Sequence, residues 1–167
     1  NTSVTKLDVS GASCSAEGLR LLGEGLAQRA APITSLSLRG LRGTASASGG
    51  IASFLTACFK PIGLTYIDCT QLVHEPAEII TTLCTLVATA DNCLRTLRLG
   101  GRESWPEGVM KSLCDGLSSP QCTVEELDLQ GRIVDVDVAL RLLSALKKSR
   151  VHRAALGARL LSAAAAS

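Results

Sequence analysis

Leu94-Arg95-Thr96-Leu97-Arg98-Leu99 and Val124-Glu125-Glu126-Leu127-Asp128-Leu129 share one pattern, apolar-x-x-apolar-x-apolar, and start 30 residues apart. The same pattern occurs at Val4-Thr5-Lys6-Leu7-Asp8-Val9, Ile33-Thr34-Ser35-Leu36-Ser37-Leu38 and Leu64-Thr65-Tyr66-Ile67-Asp68-Cys69. The five starts are separated by 29, 31, 30 and 30 residues, and a looser copy, Val151-His152-Arg153-Ala154-Ala155-Leu156, follows after 27. Alternation over the last positions of each copy is the period-two signature of a short strand. A fixed step of this size is internal repetition, and it governs how the rest of the chain is read.

Between the copies the apolar period moves from two toward 3.6. Ala16 to Leu26 carries Leu19, Leu22 and Leu26 on a helical spacing, with Leu21 beside them. The next stretches place Ile51, Phe54, Leu55 and Cys58, then Ile79, Ile80, Leu83 and Val87, on one helix face each. Pro76 suits the first turn of the third helix. In the fourth, Trp105-Pro106-Glu107 precedes Val109, Leu113 and Leu117, and Pro120 lies beyond its end. The fifth is expected to bury Val136, Leu140, Leu143 and Leu146, with Lys147 and Lys148 at the negative end of its dipole. Each step is therefore a strand, a turn, a helix and a return loop. One such unit cannot bury its own apolar face, whereas stacked units can.

The Leu-x-x-Leu-x-Leu strands, the helix entries at Gly18 and Gly50 and the 29–31-residue step resemble the ribonuclease-inhibitor-like class of leucine-rich repeats, from residue 4 to about 160. The resemblance implies an α/β solenoid, a horseshoe arc of about five and a half β-α units with a parallel concave sheet and outer helices. The class also implies Asn or Cys three residues after the last strand leucine. Here those positions read Ala12, Leu41, Leu72, Arg102 and Arg132, so the turns must be satisfied by neighbouring backbone or by water. Residues 1–167 are expected to form one leucine-rich-repeat domain, a segment of a longer solenoid whose apolar ends are covered by further repeats or a partner.

Composition agrees with such a core. Hydrophobic residues make up 46% of the 167, Leu alone 27 positions, while Phe54, Phe59, Tyr66 and Trp105 are the only aromatics. A core repeated at every step asks for small uniform side chains. The 17 basic and 15 acidic residues leave a net charge of +2, which excludes a broad nucleic-acid-binding face. No run of about 18 apolar residues offers a membrane span, and residues 1–3, although they spell a glycosylation sequon, do not begin a signal peptide. The seven cysteines, 14, 58, 69, 84, 93, 114 and 122, are odd in number and show no C-x-x-C pair. They read as reduced core residues of an intracellular, cytoplasmic protein rather than metal ligands or a disulfide frame.

Strand positions that alternate outward line the concave face: Lys6, Ser35, Tyr66, Thr96 and Glu126 in one column, Asp8, Ser37, Asp68, Arg98 and Asp128 in the next, and Ser10, Arg39, Thr70, Gly100 and Gln130 in a third. Lys6, Asp8, Arg39, Tyr66, Asp68, Arg98, Glu126 and Asp128 are the candidate protein-binding residues, with Tyr66, Arg98 and Arg39 as anchors because Tyr and Arg favour interface centres. The same columns also describe an ordinary solvated sheet face. Trp105 is either a surface anchor or a staple of the fourth helix onto the core, and Arg102 and Glu103 suggest a local ion pair.

Enzyme chemistry finds little to work with. Asp68 and Asp128 sit two strands apart, roughly 10 Å at ordinary spacing, too far to share a proton or a metal. His74-Glu75 lacks a nucleophile, Cys14 falls on an apolar slot, and Gly49-Gly50, following what reads as an inserted flexible turn at Ala45 to Ser48, lacks the Lys-Ser/Thr of a phosphate loop. The expectation is a non-catalytic interaction scaffold without cofactor or metal, binding a protein and neither nucleic acid nor membrane. The alternative is a regulator of an enzyme, resembling nuclease inhibitors or small-GTPase activators, acting through the concave face.

Overall fold

Short strands form where apolar and polar residues alternate, and each is followed by a helix where the apolar spacing lengthens. The computed structural model describes residues 4–28, 33–43, 48–59, 63–72, 77–89, 91–102, 105–157 and 159–160. Along them run β1 (Lys6–Asp8), β2 (Ser13–Cys14), α1 (Ala16–Ala27), β3 (Ser35–Ser37), β4 (Arg42–Gly43), α2 (Ser48–Phe59), β5 (Tyr66–Asp68), α3 (Ala77–Val87), β6 (Thr96–Arg98), α4 (Glu107–Ser118), β7 (Glu126–Asp128), β8 (Ile133–Val134), α5 (Val136–Lys148), β9 (Arg153–Ala155) and β10 (Arg159–Leu160).

Six strands make one parallel sheet in the order β1-β3-β5-β6-β7-β9. Its register runs Leu7, Leu36, Ile67, Leu97, Leu127, Ala154, so the middle residue of every sequence copy lies beside the next. Parallel neighbours need a crossover, and the helices provide it. They lie side by side in chain order, α1 on α2 through α4 on α5. The centre of each strand from β3 to β7 is buried beneath them, while the flanking residues are mostly half-buried on the other face.

The core between sheet and helices is aliphatic. Leu36, Ile67, Leu97 and Leu127 from the strands meet Leu19, Leu55, Ile79, Leu83, Leu113 and Leu142 from the helices, with Phe54 the one fully buried ring among the described residues. Cys69, Cys84 and Cys122 are buried within it, as expected for small apolar fillers. The buried side chain of Asn92 donates to the carbonyls of Val87, Thr89 and Gln121, and its oxygen accepts from Leu94 N–H and the Thr123 hydroxyl. It ties the end of α3 to the start of the next strand.

The turns lack the polar side-chain ladder and are held by backbone instead. Gly11, Gly40, Gln71, Gly101 and Gly131 donate their amides to the next turn, on Arg39, Thr70, Gly100, Gln130 and Gly157. Gly131 has φ +80°, and a Cβ there would lie 2.6 Å from the Gly101 carbonyl, so only glycine fits. Of the substituted turn positions, Leu41 and Leu72 are buried, Arg102 is exposed, and Arg132 is buried with Nε donating to the Leu99 carbonyl at 2.8 Å.

The fifth helix differs from the sequence reading. It buries Val138, Leu142 and Ala145, while Val136, Leu140 and Leu143 are 49, 60 and 52% exposed and Leu146 is half-buried. The spacing 138-142-145 is as helical as 136-140-143, and the side packed against α4 decides which set is inside. Leu21 is likewise exposed on α1. The short strands past the sheet were also not expected: β2 pairs with β4 and β8 with β10, where the sequence suggested plain turns. Residues 1–3, Ala45, His74, Glu75, Pro76, Glu103 and the stretch 161–167 lie outside the described residues, as does the Cys58 side chain.

Candidate functional site

The sheet face opposite the helices collects the three expected columns. Pairing sets Lys6, Ser35, Tyr66, Thr96, Glu126 and Arg153 in one row, and Asp8, Ser37, Asp68, Arg98, Asp128 and Ala155 in the next. The structure draws Tyr66, Asp68, Arg98 and Asp128 into one network. Arg98 reaches Asp128 Oδ2 through Nε at 3.1 Å and Nη2 at 2.9 Å, and its Nη1 lies 3.5 Å from Asp68 Oδ2. The Tyr66 hydroxyl donates to Asp68 Oδ2 at 3.4 Å and accepts from Arg98 Nη1 at 3.5 Å. Hydrogen bonding to Tyr66, then to Asp128, raises the guanidinium pKa further above its ordinary value.

This geometry corrects the picture of a freely solvated column. Asp68 is 5% exposed, because Arg98 and Tyr66 cover it and the Thr70 amide and hydroxyl cap it at 2.9 and 2.7 Å. The two aspartates of the column are bridged by the arginine between them, so neither is placed as a general acid or base. Around the network Lys6, Asp8 and Arg39 are exposed, and Glu126 pairs with Arg153 at 2.6 Å. The Ser10 hydroxyl and amide hold the Asp8 carboxyl below its usual range.

Three aspartates also cap the strand ends. Asp8, Asp68 and Asp128 each accept the amide two residues on, at Ser10, Thr70 and Gln130. A short side-chain oxygen two residues ahead of a turn amide is what an Asx turn requires. The Asp-x-polar spacing was visible in the sequence at all three places, but its capping role depends on the chain turning there.

Of the two arginines at the turn positions, one is buried and one stands on the rim. Arg132 stacks its guanidinium 4.3 Å from the centre of the Trp105 ring. Trp105 is half-buried against the core at the entry to α4, in keeping with the staple reading. Arg102 is exposed on the same rim as Arg39. Among the described residues no cluster of His, Cys, Asp and Glu could hold a metal ion, and no helix is long and apolar enough to cross a membrane. A scan against protein-family models finds no match for the chain, and a search of curated proteins finds none either.

Proposed function

We propose that the chain is a leucine-rich-repeat solenoid that binds another protein on its sheet face and catalyses no reaction. The observation that carries this reading is the continuous six-stranded parallel sheet, with helices packed on one face and, among the described residues, no element over the polar face on the other. Parallel sheets ordinarily carry helices on both faces, so a bare face of this size is a surface available to a partner. The Tyr66–Asp68–Arg98–Asp128 network makes the middle of that surface rigid before binding, which lowers the ordering cost of association. Among the described residues Cys14, Cys69, Cys84, Cys93, Cys114 and Cys122 are joined in no disulfide, which supports placing the protein in the reducing cytoplasm.

Obstruction of the face is the test. Ser35 and Thr96 are half-buried positions in the outer row, on the two strands that flank Tyr66. A Ser35→Arg, Thr96→Arg variant should fold with an unchanged circular dichroism spectrum and lose the partners that the wild-type chain captures. Lys111→Glu on the exposed side of α4 should keep them. Equal capture by the sheet variant and the wild type would overturn the reading.

A further inference from the structure

The capping pattern of the sheet face has two gaps. The Ser10, Thr70 and Gln130 amides each find a carboxylate at 2.9 Å. The matching positions after β3 and β6 are Arg39 and Gly100, and the residues that would supply the oxygen there are Ser37 and Arg98. Gly100 is buried, and its amide has no acceptor among the described residues. A buried N–H left unpaired is uncommon and calls for an explanation.

Gly100 lies in a polar depression of about 320 Å³, together with Arg39, Thr70, Arg98, Arg102 and Gln130. Gly100 packs closely on the next turn, where a Cβ would come within 2.9 Å of the Gln130 carbonyl. Arg98 pairs with Asp128 at 2.9 Å and with Asp68 at 3.5 Å, so that network carries one net negative charge. Arg39 and Arg102 are exposed and have no ion-pair partner among the described residues, so with Arg98 they outnumber Asp68 and Asp128 around the unpaired amide. Arg39, Arg102 and the Gly100 amide offer donors there, and the Gln71 and Gln130 side chains both donate and accept.

We propose that this depression takes a carboxylate from an acidic segment of the partner protein, an inference that rests on the docking reading above. The incoming Asp or Glu oxygen accepts the Gly100 amide, as Asp8, Asp68 and Asp128 do for the neighbouring turns. Arg39 and Arg102 pair with its charge, and charge-assisted bonds of this kind are the stronger ones. The open face admits a side chain projecting from an extended segment laid across the strands, which is why a protein carboxylate is preferred to a free anion.

The test follows the Gly100 amide in the nitrogen-15-labelled full chain by two-dimensional NMR. Three probes are titrated: a short synthetic peptide of alternating Glu and Gly, its Gln-Gly analogue, and inorganic phosphate. The Glu peptide should move the Gly100 resonance saturably, the Gln analogue should not, and added salt should weaken the effect. An Arg39→Ala, Arg102→Ala variant, which removes no ion pair among the described residues, should bind the Glu peptide at least tenfold more weakly. An unmoved Gly100 resonance, an unchanged affinity in the double variant, or phosphate acting as strongly as the peptide would each overturn the proposal. If Ser35→Arg, Thr96→Arg still abolishes partner capture while the peptide fails, the docking reading stands and the carboxylate site alone falls.

Discussion

Replacing Asn92 by alanine should cost more stability than any surface substitution in the chain. Its amide donates to Val87 O at 2.6 Å and its oxygen accepts from Leu94 N at 2.9 Å, both in buried surroundings. Alanine leaves that carbonyl and that amide without partners, and each such group costs about 1–3 kcal/mol. The contacts to Thr89, Gln121 and Thr123 are only partly buried, so water can replace them and they add little. The expected loss is therefore about 2–6 kcal/mol, a large part of the roughly 5–15 kcal/mol that holds an ordinary domain. Urea unfolding followed by circular dichroism measures it, with Gln121→Ala as a control because only the backbone carbonyl of Gln121 takes part. The midpoint should fall sharply in Asn92→Ala and stay put in the control. A loss below about 1 kcal/mol at unchanged slope would refute the reasoning, since buried groups this short of partners cannot be so cheap.

Glycine positions give predictions of opposite sign. Gly25→Ala in α1 meets nothing within 4 Å and should gain up to about 1 kcal/mol from helix propensity, whereas Gly116→Ala in α4 would set a Cβ 2.9 Å from the Cys84 carbonyl and should lose about 1–3 kcal/mol by overpacking; thermal unfolding of the two variants reads both signs. Asp135→Ala removes the side chain that accepts Val138 N at 2.7 Å at the start of α5, and should lower stability by about 1 kcal/mol, most of it recovered in Asp135→Ser. Burial pushes the Cys84 thiol up to about 12 from an ordinary value of 9.0, with Cys114 beside it acting in the same direction. In the native chain at pH 8.5, iodoacetamide should label half-buried Cys93 well before Cys84, as mass spectrometry of the digested protein would show. Because the unfolded chain gives up that proton first, stability should fall as pH rises from about 9 toward 12; a flat profile there would contradict the burial.

The strand positions were legible because the same pattern recurs five times: the residues that fell in one column by spacing are those that pair in the sheet, from Leu7 through Leu127 to the looser copy at Ala154. Four helices could be oriented from their apolar spacing, since a single face stood out. In α5 two faces compete, and Val136, Leu140 and Leu143 read as inside although the contact with α4 puts Val138, Leu142 and Ala145 there. Periodicity fixes that a helix has a face, and packing chooses between faces of equal pattern. The site was legible as a list of outward residues but not as a network. Arg98 bridging Asp68 and Asp128 and Arg132 lying on Trp105 depend on side chains meeting across repeats some 30 residues apart, and the uncapped Gly100 amide on Arg98 standing where the neighbouring strands have Asp. The missing turn ladder is explained by amide-to-carbonyl bonds between successive turns, which no side-chain pattern records.

The claim that the bare sheet face is the docking surface is tested most directly by site-specific photo-cross-linking. A photoreactive phenylalanine analogue placed at Thr96, in the middle of the sheet, is compared with the same group at Lys111 on the exposed side of α4. The account predicts a discrete cross-linked partner from Thr96, lost when an Arg39→Glu, Arg102→Glu change is added, and none from Lys111. A partner captured from Lys111 and not from Thr96 would contradict it and move the interface to the helices.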